Sequence, residues 1–298
     1  MKSTRLKDLI KNQSSEISFE EYRVRYATER FLLRLQESAY KDNFVIKGGF
    51  LLGAMFKVEQ RTTKDLDTLL KGIVAEKEIL TKILERIISI ELEDGVQFEL
   101  INLTETQQER IYDGFRAKLK MIFLEEKTVI QFDFDIGVGD AVTPKAEMID
   151  IPLLFNEKKG EHKAITLYAY PIATIFAEKA ETILNLGIKN SRMKDFYDIH
   201  LILNDQKKPN LAEFYEAFVT TWQVRHKELP IDDELFEDWF FTVDEIITSR
   251  EMNDVSWKNY IRDREYAKGL ELKSIVHQFK DYLEQLYGIY KDRENTKL

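Results

Sequence analysis

Cysteine is absent from the 298-residue sequence, which excludes a disulfide framework, a thiolate zinc site and a cysteine nucleophile. Prolines number only five. No run of about 18 apolar residues occurs, and the first residues, Met1 to Arg5, lead into charged residues rather than an apolar signal segment. We therefore expect a cytoplasmic protein without membrane spans.

Acidic residues outnumber basic ones, 53 to 44, and the formal net charge is −9. Most of this excess lies between Pro230 and Asp254, where nine acidic residues accompany one base, Arg250. The rest of the chain is close to neutral. The overall charge therefore does not exclude a nucleic-acid partner, whose phosphates need local Lys and Arg.

The sequence has enough apolar residues for a large core, with 44 % hydrophobic and 12 % aromatic residues. Strand-like alternation and helical periodicity are mixed up to Pro171, and helical periodicity dominates after it. This pattern predicts an α+β lobe over residues 1–170 and an all-helical lobe over 171–298. The predicted helices of the second lobe cover 172–187, 194–204, 211–226, 233–248 and 267–290.

The first motif that could carry chemistry is a glycine pair followed by two aspartates, Gly48-Gly49 and Asp65-x-Asp67. Glycines between a strand and a helix let backbone N–H groups approach a phosphate. Aspartates at i and i+2 of a strand point to the same face and can share divalent cations. The alternative is a plain turn followed by a solvated strand face.

A second pair of alternating aspartates, Asp133 and Asp135, follows later in the lobe, with Gly137 and Gly139 after it. The pattern indicates a strand with one apolar and one acidic face, and one of the two aspartates could be a third metal-binding carboxylate.

The third cluster lies in the helical lobe and combines Lys179 with Asp195 and Asp198. Lys179 could neutralise triphosphate charge. Alternatively, the cluster is an array of salt bridges on helix surfaces, which also involves Arg192.

Together these segments resemble the AbiEii/AbiGii toxin family of bacterial abortive-infection and toxin–antitoxin systems, which includes the mycobacterial MenT toxins. The resemblance covers residues 45–203. It rests on five motifs in order: Gly48-Gly49-Phe50-Leu51-Leu52, Arg61-Thr62-Thr63-Lys64-Asp65-Leu66-Asp67, Asp135-Ile136-Gly137-Val138-Gly139-Asp140, Ala177-Glu178-Lys179 and Arg192-Met193-Lys194-Asp195-Phe196-Tyr197-Asp198.

The resemblance implies a nucleotidyltransferase core of the polymerase β type with a mixed sheet, plus a helical second lobe. It further implies Mg²⁺-dependent transfer of a nucleotide from an NTP, GTP or a pyrimidine triphosphate, to the 3′ end of tRNA, which blocks translation as a phage defence. The implied partner is a cognate antitoxin, a winged-helix regulator encoded nearby.

The family's functional residues carry over onto matching positions of this chain. Gly48 and Gly49 would hold the triphosphate. The implied Mg²⁺ ligands are Asp65, Asp67 and Asp135.

In the helical lobe, Lys179 matches the family's essential lysine, and Asp195, then Asp198, would act near the acceptor or metal. Arg61 and Lys64 are candidates for phosphate contacts beside the acidic strand. Phe50 departs from the family, which often has Ser or Thr there, so nucleotide binding would depend more on backbone N–H groups.

Two other functions share parts of these motifs. A small-molecule nucleotidyltransferase of the aminoglycoside-modifying type has the same glycine–aspartate arrangement. A catalytically inactive nucleotide-binding module is favoured by Phe50 and disfavoured by the retained carboxylates.

Overall fold

A computed structural model describes residues 1–13, 17–56, 65–106, 114–126, 128–155, 163–227 and 229–297. The chain divides into two compact units. We call Met1–Asp140 with Ala146–Tyr170 the sheet unit, and Ala141–Lys145 with Pro171–Leu298 the helical unit.

The sheet unit is built on one seven-stranded mixed sheet, in the order β3-β4-β5-β2-β1-β7-β6. The pairs β2–β5 and β1–β7 are parallel and the other neighbours are antiparallel. This arrangement confirms the predicted α+β class. The strands are β1 (Phe44–Lys47), β2 (Asp65–Leu70), β3 (Val96–Glu105), β4 (Gly114–Phe123), β5 (Val129–Gly137), β6 (Glu147–Pro152) and β7 (Ala164–Ala169).

In the described part of this unit, four helices accompany the sheet: α1 (Ser3–Lys11), α2 (Phe19–Glu37), α3 (Gly48–Phe56) and α4 (Lys77–Ile88). Helix α2 begins with a capping box, in which the Ser18 hydroxyl accepts from the Glu21 N–H and the Glu21 carboxylate accepts from the Ser18 N–H. Its buried Phe31 packs on Phe134 of β5 with ring centroids 5.0 Å apart. The apolar face of the sheet is therefore covered by α2.

Two buried charged groups of α2 fasten the helix to the rest of the sheet unit. The guanidinium of Arg34 donates two hydrogen bonds to Asp94, at 2.9 and 3.0 Å, and a third to the carbonyl of Val96. The carboxylate of Glu29 accepts from Arg25 and from the backbone N–H of Leu154. Buried charges persist only when they are paired in this way.

The helical unit contains α5 (Ile172–Leu186), α6 (Met193–Asn204), α7 (Leu211–Arg225), α8 (Asp233–Thr248), α9 (Trp257–Ile261) and α10 (Leu272–Lys297). The predicted helices are confirmed, although the last one covers 272–297 rather than 267–290. Helix α9 and the π-helical turn Glu251–Ser256 before it were missed. None of the described helices is long and apolar enough to cross a membrane.

The core of the helical unit is aromatic. Phe176 of α5 packs on Phe214 of α7 at 4.2 Å between ring centroids, and Trp222 of α7 packs on Trp239 of α8 at 4.8 Å. The acidic residues of the 230–254 segment are exposed apart from the half-buried Asp232, and Asp233 and Asp244 of α8 pair with Lys291 and Lys280 of α10.

Candidate active site

The glycine pair lies where β1 ends and α3 begins. Gly48 has φ +73°, a conformation that L side chains rarely adopt, and a Cβ at this position would overlap the carboxylate of Asp67. The Asp67 side chain therefore lies directly against the backbone at the start of α3. Phe50 is buried in the core of the sheet unit, with its ring 5.9 Å from the guanidinium carbon of Arg25.

Two rows of charged residues cross the polar face of the sheet. In what we call the charged row, Arg116, Asp135, Asp67 and Lys47 are register partners on β4, β5, β2 and β1 in turn. Registered partners on neighbouring strands share a face, and those strands are about 4.8 Å apart. Two carboxylates therefore lie side by side at the centre of the row, with a cation at each end.

A second, parallel row consists of Lys118, Asp133 and Asp65 on β4, β5 and β2. The residues between the rows, Leu66 and Phe134, are fully buried on the opposite face. The four carboxylates thus occupy one small patch. The alternation of polar and apolar residues predicted an acidic face for β2 and for β5 separately.

Arg116 makes the most specific contact in the charged row. Its Nε and Nη2 donate to the two oxygens of Asp135 at 2.7 and 2.9 Å, and the Asp135 side chain is 2 % exposed. This hydrogen bonding, together with the negative charges of Asp135, Asp65 and Asp133, raises the pKa of the Arg116 guanidinium above its ordinary value, against the opposing effect of burial. The guanidinium of Arg116 therefore interacts electrostatically with three of the four carboxylates.

Lys47, at the other end of the row, bonds Asp140 at 2.6 Å, and its Nζ lies 4.9 Å from the ring centroid of Tyr170. Asp140 follows the glycines at the end of β5, and its carboxylate lies near Gly137. This contact connects the residue before the glycine pair to the segment that follows Asp135.

The donor set of this patch fits Mg²⁺, because carboxylate oxygens on rigid strands are the ligands that this ion prefers. Asp65, Asp67 and Asp135 would hold it. In the described part of the chain, however, no three Asp, Glu or His side chains already meet in a metal-binding geometry. The side chain of Asp135 is directed to Arg116 instead.

The predicted residues of the helical unit form a separate cluster between α5 and α6. The ammonium of Lys179 bonds Asp195 at 2.8 Å and Asp198 at 2.6 Å, and both carboxylates are at most 1 % exposed. Arg192 adds an ion pair to Asp195 at 2.9 Å. The structure therefore brings all three predicted residues together, in a bridge between helices rather than within one helix.

Two residues further along α5, the buried Glu181 accepts from Arg225 and lies 2.8 Å from Nε2 of His226, whose ring stacks on Trp222. These contacts join α5 to α7 and support the helix that carries Lys179.

Sequence reasoning missed Arg116 and Lys47, and it assigned no role to Asp140. Arg116 could have been found from the alternation along β4, where Arg116, Lys118 and Lys120 alternate with apolar residues. The predicted phosphate ligands Arg61 and Lys64 lie outside the described residues.

Comparison with known proteins agrees with this architecture. The model of the AbiEii nucleotidyl transferase toxin family, a type IV toxin–antitoxin system, matches residues 30–285. The fold is similar to that of the MenT4 nucleotidyltransferase toxin of Mycobacterium tuberculosis, with a TM-score of 0.56 and 15 % identity over 96 % of this chain and 99 % of that one.

Two Helicobacter pylori structures are more distant. A crystal structure titled as a putative nucleotidyltransferase has a TM-score of 0.48 and 11 % identity over 93 % of this chain and 98 % of that one. JHP933 has a TM-score of 0.47 and 11 % identity over 94 % and 97 %. No curated protein matches the sequence. Because the family model spans most of the chain, this protein belongs to the nucleotidyl transferase AbiEii toxin family of type IV toxin–antitoxin systems.

Proposed function

We propose that this toxin transfers a nucleotide from an NTP to an RNA acceptor, the 3′ end of a tRNA, in a reaction that requires Mg²⁺. The observation that carries the proposal is the pair of aspartates at the centre of the charged row, Asp67 and Asp135, of which Asp67 lies against the glycine turn at the start of α3. A helix N-terminus attracts phosphate, and adjacent carboxylates attract the cation that accompanies a triphosphate.

In this proposal, residues of the sheet unit bind the triphosphate and the cation. The backbone N–H groups of Gly48 and Gly49 bind triphosphate oxygens, as do Arg61 and Lys64. Asp65, Asp67 and Asp135 orient the cation. When bound, Mg²⁺ supplies positive charge that favours deprotonation of the attacking ribose hydroxyl and stabilises the departing pyrophosphate.

In the helical unit, Lys179 contributes positive charge for the phosphates, and Asp195 and Asp198 hold its ammonium in one position. Asp195, more than Asp198, is the residue that we expect to act near the acceptor. A lysine fixed by two buried carboxylates loses little side-chain freedom when it binds a further anion, which supports this role.

The experiment is incubation of the purified protein with Mg²⁺, total tRNA and each labelled NTP in turn. We expect labelled tRNA with one or more NTPs, no labelling in EDTA, and a loss of at least about 100-fold in Asp67→Asn, because an amide is a poor ligand for the cation. Glu147→Gln, which removes an exposed carboxylate on β6, is the matched control and should keep full activity.

Two outcomes contradict the proposal. If an aminoglycoside is labelled and tRNA is not, the acceptor is a small molecule. If nothing is labelled and expression does not slow growth, the protein is an inactive nucleotide-binding module. Growth arrest that is relieved by co-expression of a neighbouring winged-helix protein would support the antitoxin partner.

A further inference from the structure

Arg116 forms a bidentate ion pair with Asp135 and thereby occupies a carboxylate that the proposed cation site needs. Both oxygens of Asp135 accept from the guanidinium, whose Nε and Nη2 lie 2.7 and 2.9 Å away. Each oxygen has a second lone pair, but a divalent cation placed there would lie a few ångströms from the guanidinium. Two positive charges at that separation repel each other.

The two partners of this pair differ in how exposed their side chains are. Asp135 is nearly inaccessible, with Arg116 on one side and Asp67 on the other side of the row. The Arg116 side chain, by contrast, is 37 % exposed, so it can swing towards solvent while Asp135 stays in place. The mobile partner of the pair is therefore the arginine.

We propose that Arg116 exchanges partners during the reaction: it neutralises Asp135 in the free protein and moves to the triphosphate when the nucleotide arrives, so that Asp135 becomes available to the cation. The exchange suits a planar guanidinium, which binds carboxylate and phosphate through the same fork of donors. A free divalent cation then binds weakly, and nucleotide and cation binding favour each other. This inference rests on the cation site proposed above.

The test compares Arg116→Gln with Lys118→Gln, which removes an equal charge from an exposed residue on the same face of β4, opposite Asp133. Mn²⁺ binding is measured by electron paramagnetic resonance without nucleotide, and binding of inorganic tripolyphosphate is measured calorimetrically in EDTA. We expect Arg116→Gln to raise Mn²⁺ affinity about tenfold and to lower tripolyphosphate affinity about tenfold, whereas Lys118→Gln changes each by less than about threefold.

An unchanged Mn²⁺ affinity in Arg116→Gln, an unchanged tripolyphosphate affinity, or equal effects of the two variants would overturn the exchange. If Arg116→Gln does not fold, Arg116→Lys retains the charge without the fork and should give a smaller rise in Mn²⁺ affinity. If the wild type and both variants bind no Mn²⁺ even with a triphosphate present, the cation site itself is wrong. That result differs from Mn²⁺ binding that is intact but unchanged by the replacement of Arg116, which overturns the exchange alone.

Discussion

Replacing Lys179 by methionine tests how far the cluster between α5 and α6 stabilises the helical unit. The ammonium is bonded to two carboxylates whose side chains are 1 % and 0 % exposed, and Arg192 also pairs with Asp195. Methionine retains the length of the side chain without the charge, so Asp198 loses this ion pair in a buried position. Breaking a buried ion pair from one side costs about 3–5 kcal/mol, and we expect that loss of unfolding free energy.

The three tryptophans give a selective measurement, because Trp222, Trp239 and Trp257 all lie buried in the helical unit. Urea unfolding followed by tryptophan fluorescence therefore reports on this unit alone. With a denaturant slope of about 2 kcal/mol per molar urea, the expected loss lowers the midpoint by about 2 M.

The matched variant is Lys179→Met combined with Asp198→Asn, which removes the carboxylate that the first change leaves without its ammonium. We expect it to recover more than half of the lost stability. A midpoint in Lys179→Met within about 0.5 M of wild type would refute the reasoning, since a loss of about 1 kcal/mol is that of an exposed pair. If the double variant folds well but transfers no nucleotide, while Asp198→Asn alone still transfers it, Lys179 is needed for the reaction and not only for folding.

Three further changes have defined outcomes in the sheet unit. Arg34→Met removes a side chain that is 1 % exposed and bonded to Asp94, and we expect a loss of about 3–5 kcal/mol in thermal unfolding monitored by circular dichroism. Burial raises the pKa of Glu29 above 4.5, against the charge of Arg25. Protonation of Glu29 thus stabilises the folded state below pH 4.5, and this contribution is lost as the pH rises through the folded-state pKa. The unfolding free energy of Glu29→Gln, measured from pH 4 to 8, should therefore rise relative to wild type with increasing pH. Gly48→Ala combines a strained φ with overlap on Asp67, so we expect a loss of about 2 kcal/mol or more and weaker Mn²⁺ binding.

Control variants test the backbone strain, the raised pKa and the ion pair separately. Gly269 has φ +80° and no neighbouring atom within 4 Å of an added Cβ, so Gly269→Ala carries the backbone strain alone and should cost about 1 kcal/mol. Equal losses in the two alanine variants would contradict the close approach of Asp67. Parallel pH profiles for Glu29→Gln and wild type would contradict the raised pKa, and Asp94→Asn should remove most of the further effect of Arg34→Met if the pair acts as a unit.

Local signals in the sequence were sufficient for most elements of the fold. The glycine pair predicted the change from β1 to α3, and alternation predicted β2 and β5 with their aspartates on one face. These features depend on neighbours within a few residues, so local patterns reveal them. The predicted roles of the carboxylates and of Lys179 remain predictions that the proposed experiments test.

Pairings between distant segments could not be predicted in the same way. That β2 lies beside β5, which brings Asp67 next to Asp135, depends on strand order and not on any local pattern. The bond from Arg116 to Asp135 follows from that order. The π-helical turn at Glu251–Ser256 was missed because its acidic composition resembles a loop, whereas buried Met252 and Trp257 hold it in the helical unit.

The register between β2 and β5 also bears on how the sheet assembles. A slip of one residue would turn Asp133 and Asp135 towards the aromatic side chains under α2, and would bring Phe134 out to solvent. Burying two carboxylates without partners costs several kcal/mol, far more than the slipped strand gains from its backbone hydrogen bonds. The aspartates therefore also discriminate against misaligned strand pairing during folding, and their replacement by apolar residues would widen the range of registers open to the chain.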